Sequence, residues 1–175
     1  MKKIVIYQSK TGFTEKYAKW IAEGLDCPAV TAKEYQKKMN HTDEIVIYGG
    51  GLMAGKISGL DKIKKQLQNQ QLIVFATGAT SQKAEQVIAD IQKNNIAEAE
   101  RDRIPFYYLE SGINYERMNF ASKKMLQVLR RMLEKNADKS EEEAGMLKAL
   151  QDSSDHCSKE YIQPLLNKVK ELEKG

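Results

Sequence analysis

The sequence predicts an α/β fold, in which helices cover both faces of a mainly parallel sheet. Three short segments, at 4–7, 45–48 and 72–76, are continuously apolar and rich in β-branched residues. Such segments are typical of strands that are buried on both faces. Amphipathic helical patterns separate them, and this alternation is typical of parallel crossover folds. With 175 residues, the chain is long enough for one sizeable core.

Two weaker strands complete a predicted sheet of five. Segment 29–31 is short, and segment 104–109 contains Pro105, which has no N–H for a sheet hydrogen bond. Both properties suit strands at the edges of a sheet. The doubly wound order 2-1-3-4-5 places the second and fifth strands at the edges. We therefore expect a three-layer α/β/α sandwich with this strand order.

Helices are predicted between the strands and after them. Patterns at 13–25, 59–69 and 81–94 place apolar residues on one side and charged residues on the other, as in helices that cover a sheet. We expect the chain to form a single domain over residues 1–175.

The chain after strand five contains no further strand signal. Residues 119–136 predict an extra amphipathic helix with a basic polar face, and residues 137–154 predict a loop or short helix. Residues 157–173 predict the last helix. Segment 119–154 is thus expected to be a helical and loop insertion before that helix. The apolar face of the basic helix consists of Met125, Leu126, Leu129, Met132 and Leu133.

Composition and charge exclude several functional classes. The net charge of +4 is far from the dense positive charge of a nucleic-acid-binding protein, so no nucleic acid partner is expected. No apolar run is long enough to span a bilayer, and the N-terminus lacks the pattern of a signal peptide. We therefore expect a cytoplasmic protein.

Cysteine and histidine are too few for a metal centre or a disulfide scaffold. The chain has two cysteines, Cys27 and Cys157, without a CxxC motif, and two histidines, His41 and His156. Zinc sites and His-rich metal sites need more ligands at closer spacing. We expect no metal site and two free thiols.

The turn after strand one is the strongest candidate for a ligand site. Ligands of open α/β sheets bind at the carboxyl ends of the strands where the order reverses, which is here the gap between strands one and three. Three hydroxyl residues and a glycine lead directly into the first helix, and a phosphate can bind to the free N–H groups of such a helix end. Helix capping would explain one of the hydroxyls. The candidate residues are Ser9, Lys10, Thr11, Gly12, Phe13 and Thr14.

Other phosphate-binding patterns are absent from the sequence. The chain contains neither the GxxxxGK[ST] of a P-loop nor a GxGxxG after strand one. A phospho-receiver domain would need acidic residues at the ends of strands one and three, where this chain has Gln8 and Gly49.

The arrangement strand–Ser-x-Thr-Gly-x-Thr–helix resembles the FMN phosphate loop of the flavodoxin family. The resemblance implies a flavodoxin-like fold, bound FMN, and contacts to the flavin ring from the loops after strands three and four. The first of these loops is glycine-rich, a composition that is also typical of a flexible turn. The implied ring contacts are Gly50, Gly51, Leu52, Met53 and Ala54 in the first loop, and Thr77, Gly78, Ala79 and Thr80 in the second.

A second resemblance covers the segment after strand five. Gly112, Tyr115 and Arg117, followed by the basic helix, resemble the flavodoxin-like group that includes menaquinone-dependent protoporphyrinogen dehydrogenases. This resemblance implies an FMN-dependent oxidoreductase that acts on a quinone or a porphyrinogen. Neither flavin loop contains Trp or Tyr, which would leave the ring open to a substrate.

Three functional hypotheses remain open from the sequence. The first is an FMN-dependent oxidoreductase, the second a non-enzymatic electron carrier with a redox partner protein, and the third a flavin-free binding module of the same fold. No side chain is an evident general acid or base. The basic helix at 119–136 is interpreted as a solvated covering helix, as a peripheral membrane contact, or as a docking face for an acidic partner.

Overall fold

A parallel sheet runs through the centre of the protein, and its strand order is the predicted one. The structure is a computed structural model that describes residues 1–37, 42–138, 140–150 and 152–174. The strands of this sheet are β1 (Lys3–Gln8), β2 (Ala29–Thr31), β3 (Ile45–Met53), β4 (Lys56–Ile57), β5 (Gln71–Gly78) and β6 (Phe106–Glu110). The parallel strands among them follow the order β2-β1-β3-β5-β6, which confirms the predicted order 2-1-3-4-5.

Helices cover both faces of this sheet. In the described part of the chain, the α-helices are α1 (Phe13–Leu25), α2 (Ala32–Gln36), α3 (Leu60–Lys64), α4 (Glu85–Asn95), α5 (Phe120–Lys135), α6 (Glu141–Ala149) and α7 (Gln163–Leu172). On one face of the sheet, Val5, Ile47 and Phe75 pack against α1 and α7. On the other face, Ile4 and Val46 pack against α2, α3 and α4. Because adjacent strand residues point to opposite faces, the continuous apolar runs supply both cores at once.

Several helix boundaries differ from the prediction. Helix α3 is only five residues long, where the sequence predicted 59–69. Helix α7 begins at Gln163 instead of residue 157, and Pro164 stands in its first turn, where a fixed φ and a missing N–H are tolerated. The short helix α2 was not predicted. It depends on a capping box, in which Thr31 Oγ1 accepts from Glu34 N–H and Thr31 N–H donates to the Glu34 carboxylate.

The glycine-rich segment after strand three was predicted to be a loop, and this prediction is wrong. Strand β3 continues through these glycines to Met53, and a two-residue turn returns the chain into the antiparallel strand β4. Ala54 and Gly55 in the turn both have positive φ, of 49° and 76°. Two-residue hairpins favour this conformation because its twist matches that of the strands.

The segment after β6 forms a small unit of its own. Strands β7 (Gly112–Ile113) and β8 (Ser154–Asp155) pair antiparallel, and α5 and α6 lie between them in the chain. Ile113, Leu133 and Leu150 form the buried centre of this unit. The extra helix predicted at 119–136 is confirmed as α5, and the segment 137–154 contains α6. Residues 139 and 151 of that segment, like His41, lie outside the described residues.

Candidate functional site

The turn between β1 and α1 leaves the first turn of the helix without a side-chain cap. Gly12 occupies the N-cap position with φ 97° and ψ −19°, in the left-handed region that glycine adopts at little cost. Ser9 Oγ accepts the N–H of Gly12 at 3.1 Å, so this hydroxyl closes the turn instead of capping the helix. The N–H groups at the start of α1 therefore remain available to a ligand.

Helix capping, the alternative role considered for these hydroxyls, does not occur at α1. By contrast, Thr31 caps α2 with its side chain. Lys10 in the turn is exposed, and its Nζ lies 3.7 Å from Met53 Sδ, so the turn touches the β3–β4 hairpin. Phe13 is buried at the first position of α1.

Two buried threonines lie beneath this turn. Thr14 and Thr77 are only 3% and 4% exposed, and their Oγ1 atoms lie 2.7 Å apart in a hydrogen bond. The pair joins α1 to the end of β5. A methyl group at Gly51, on the intervening strand β3, would lie 3.5 Å from Thr14 Oγ1 and 3.8 Å from Thr77 Oγ1. Gly51 thus leaves bare backbone beside the two hydroxyls, at the carboxyl edge of the sheet.

The other glycines of β3 have packing roles. A methyl group at Gly49 would come within 1.9 Å of the Phe75 ring, and one at Gly50 would come within 2.6 Å of the Ser58 carbonyl oxygen. Both positions are buried and need glycine whether or not a ligand binds. Of the three consecutive glycines, only Gly51 is partly exposed.

The segment after β5 is anchored to β6. Tyr108 donates from its hydroxyl to the Thr80 carbonyl at 2.8 Å, and Gln82 Nε2 donates to the Tyr108 carbonyl at 2.9 Å. A methyl group at Gly78 would lie 3.1 Å from Leu52 Cδ1, which places the ends of β3 and β5 in contact. Ala79 is exposed at the tip of this segment.

The structure therefore brings the three predicted groups of site residues to one edge of the sheet. The β1–α1 turn contacts the hairpin through Lys10 and Met53, and the first turn of α1 contacts β5 through the threonine pair. A cleft of about 450 Å³ lies on the β2 side of β1, between Ser9, Thr31 and Lys62. Ser9 is its single residue from the predicted site, so the cleft adjoins the site without coinciding with it.

Arg117 lies beside the candidate site, at a position that the sequence did not predict. Its guanidinium lies over the β1–α1 turn, where a methyl group at Gly12 would come within 2.7 Å of Nη1. The sequence pattern marked Arg117 as part of the second resemblance, but nothing in that pattern indicates which turn the side chain reaches.

Helix α5 exposes part of its apolar surface. Leu133 is buried, and Leu126 and Leu129 pack beside it, while Phe120 is 81% and Met132 is 66% exposed. The predicted common apolar face is thus only half covered. Contact of this helix with a membrane surface or a partner protein stays a prediction.

In the described ranges, every helix is too short or too polar to span a bilayer. In the same part of the chain, no group of three or more His, Cys, Asp or Glu side chains could hold a metal ion.

The strand order and the ligand-accessible helix end define a doubly wound α/β protein. The chain belongs to the Flavodoxin domain family, because the family model matches residues 4–140, well over half of its length. No curated protein matches it significantly.

Three solved structures are similar to this chain at low identity. A flavodoxin from the domain Archaea is 18% identical with a TM-score of 0.38, over 62% of this chain and 85% of that one. A WrbA-like flavodoxin from Agrobacterium tumefaciens is 14% identical with a TM-score of 0.40, over 61% and 82%. Rubredoxin oxygen:oxidoreductase from Desulfovibrio gigas is 18% identical with a TM-score of 0.38, over 85% of this chain and 36% of that larger one. The narrower resemblance to protoporphyrinogen dehydrogenases receives no support from these matches.

Proposed function

We propose that this protein binds FMN and acts as a flavin-dependent redox protein. One observation carries the proposal, namely the uncapped N-terminus of α1 behind a glycine turn, at the point where the strand order reverses. Free N–H groups and a helix dipole attract an anionic phosphate there. The chain belongs to the Flavodoxin domain family over residues 4–140. This membership supports a flavin nucleotide as the phosphate-bearing ligand.

The residues around the turn fit the phosphate end of FMN. The N–H groups at the start of α1 and the Thr11 hydroxyl would hold the phosphate oxygens. Gly12 allows close approach because it has no side chain and already adopts a positive φ. Thr14 and Thr77 would form the floor of the site, since their hydroxyls bond to each other beneath it.

The ends of β3 and β5 fit the ring end. Gly51 presents bare backbone, and Leu52 and Met53 supply apolar surface beside it. Gly78, Ala79 and Thr80 would border the ring from the end of β5 and the segment that follows it. FMN, when bound, accepts and donates one or two electrons, and these residues would orient it and shield part of it from water.

An oxidoreductase with a small-molecule substrate such as a quinone is the activity that we favour. The two ring-contacting segments have no Trp or Tyr to cover the flavin, so a substrate could approach its face. An electron carrier is the alternative. Repeated turnover with a menaquinone analogue would support the enzyme, whereas stoichiometric exchange with a reductase alone would support the carrier.

The test is an FMN titration of the purified protein, followed by its visible spectrum and by quenching of flavin fluorescence. We expect saturable binding of one FMN per chain. Thr11→Val should weaken FMN binding about tenfold, because it removes one hydrogen bond to a charged group. Thr42→Val, which makes the same change near the opposite edge of the sheet, is the matched control. Absence of FMN binding by the unmodified protein would contradict the proposed function.

A further inference from the structure

The guanidinium of Arg117 lies against the turn that opens α1, although it comes from a distant part of the chain. Its Nη1 would be 2.7 Å from a methyl group on Gly12, and its Cζ would be 3.8 Å away. The side chain therefore touches the turn at Gly12. Since Arg117 is exposed, burial in a core does not account for this position.

Local contacts hold the Arg117 backbone near α1. The Arg117 N–H donates to Asn114 Oδ1 at 3.1 Å, and the Tyr115 N–H donates to Ser153 Oγ at 3.1 Å. The β7–β8 pair is linked to α1 by an ion pair of 2.7 Å between Asp155 and Lys16. These contacts place the start of the helical insertion beside the N-terminus of α1.

At this place, Arg117 has no carboxylate partner among the described side chains. Two cations on α1 have carboxylate partners, because Lys16 pairs with Asp155 and Lys19 pairs with Glu15, both at 2.7 Å. Among the side chains that the structure describes, no carboxylate lies within 4.0 Å of the Arg117 guanidinium. A cation beside the positive end of a helix is unfavourable unless an anion joins them.

We propose that Arg117 binds the phosphate of the flavin nucleotide, as a cation that the helical insertion contributes to the β1–α1 turn. This inference rests on the proposed function and adds a specific residue to it. Guanidinium groups form charge-assisted, often bidentate, hydrogen bonds with phosphate oxygens. Arg117 presents positive charge to the phosphate from one side, and the N–H groups of α1 present it from the other. A phosphate between them therefore neutralises both the guanidinium and the positive end of the helix dipole. Arg117 accordingly selects the phosphorylated flavin over riboflavin.

The experiment compares FMN with riboflavin, which has the same ring and no phosphate. Dissociation constants for both ligands are measured by fluorescence quenching in the unmodified protein, R117Q and R131Q. We expect R117Q to weaken FMN binding at least tenfold and to change riboflavin binding less than twofold. R131Q, which removes an exposed arginine from α5, should change neither. R117K should retain part of the FMN affinity, because it keeps the charge without the planar fork.

Salt provides a second readout. Raising the NaCl concentration should weaken FMN binding more in the unmodified protein than in R117Q, since the variant lacks one of the screened charges. Circular dichroism of each variant checks that the fold is intact.

The outcomes separate this inference from the proposed function. Equal FMN affinity in R117Q and the unmodified protein would overturn the role of Arg117 and leave FMN binding standing. An equal loss of affinity for FMN and for riboflavin in R117Q would also overturn this role, because Arg117 would then only shape the turn. If the unmodified protein binds no FMN, both the function and the role of Arg117 fail.

Discussion

Thr14 and Thr77 show how one pair of side chains joins the site to the core. Each hydroxyl is buried and has the other as its partner at 2.7 Å. A buried hydroxyl without a partner loses its hydrogen bond to water and gains nothing in return. Their contribution to stability should therefore depend on whether one or both hydroxyls are removed.

We expect Thr77→Val to lower the free energy of unfolding by about 1–3 kcal/mol, because Thr14 Oγ1 is left without its partner. Thr14→Val should have a similar effect. The double variant should be close to the unmodified protein, since two isosteric methyl groups then face each other. Urea unfolding of the four proteins measures this cycle. Additive losses in the double variant would show that the two hydroxyls are not coupled.

The turn of the β3–β4 hairpin contains a residue that is poorly suited to its conformation. Its two turn residues, Ala54 and Gly55, both have positive φ, and an L-residue with a β-carbon is strained in this region by about 1–2 kcal/mol. Asn-Gly is the sequence that such turns favour. The chain thus tolerates strain at a position where the hairpin meets the candidate site.

Ala54→Asn should raise the free energy of unfolding by about 1 kcal/mol, because asparagine adopts a positive φ more readily than alanine. Gly55→Ala should lower it by a comparable amount, since its φ of 76° disfavours a β-carbon. Both changes are measured as shifts in the urea midpoint at constant slope. An unchanged or lower midpoint for Ala54→Asn would contradict the strained turn.

At the scale of the whole molecule, burial suppresses the ionisation of both thiols. Cys27 and Cys157 pack beside the core that lies between the sheet and helices α1 and α7. Burial raises the pKa of Cys27 from 9.0 to about 11. The pKa of Cys157 is raised to about 12, mainly by burial and to a smaller extent by a hydrogen bond with Asp155. The folded protein therefore keeps these protons at pH values where the unfolded chain releases them.

Stability should fall as the pH rises above about 9. A thiol whose pKa is raised on folding contributes its full stability below the unfolded pKa of 9.0, and this is lost between that value and the folded pKa. We expect the free energy of unfolding to decline between pH 9 and pH 11 in urea titrations. The decline should be shallower in a Cys27→Ala/Cys157→Ala variant. An identical slope in this variant would assign the alkaline loss to other groups.

Much of the fold could be predicted because buried strands leave a strong signal. Ile4–Tyr7 and Ile45–Tyr48 are continuously apolar, which occurs where helices cover both faces of a sheet. The hairpin at Ala54 was missed, because glycines in a strand resemble a loop in composition. Gly49 and Gly50 are glycines since Phe75 and Ser58 occupy the space of a β-carbon, and no local pattern shows that.

The candidate site also has a part that the sequence could predict and a part that it could not. The turn around Gly12 could be identified from residues that are consecutive in the chain, and its position followed from the strand order. The role of Ser9 within the turn and the pairing of Thr14 with Thr77 could not be predicted. Both depend on the directions of side chains, and small changes in backbone position alter these.

The sequence alone determined the alternation of strands and helices, the order of the sheet and the edge of the sheet at which the candidate site lies. These depend on burial patterns and turn residues that are local in the chain. Only the tertiary structure decided that Arg117 lies over Gly12 and that α5 leaves Phe120 and Met132 uncovered. Such contacts join residues that are far apart in the chain, and packing between whole elements selects them from many arrangements that the same local patterns allow.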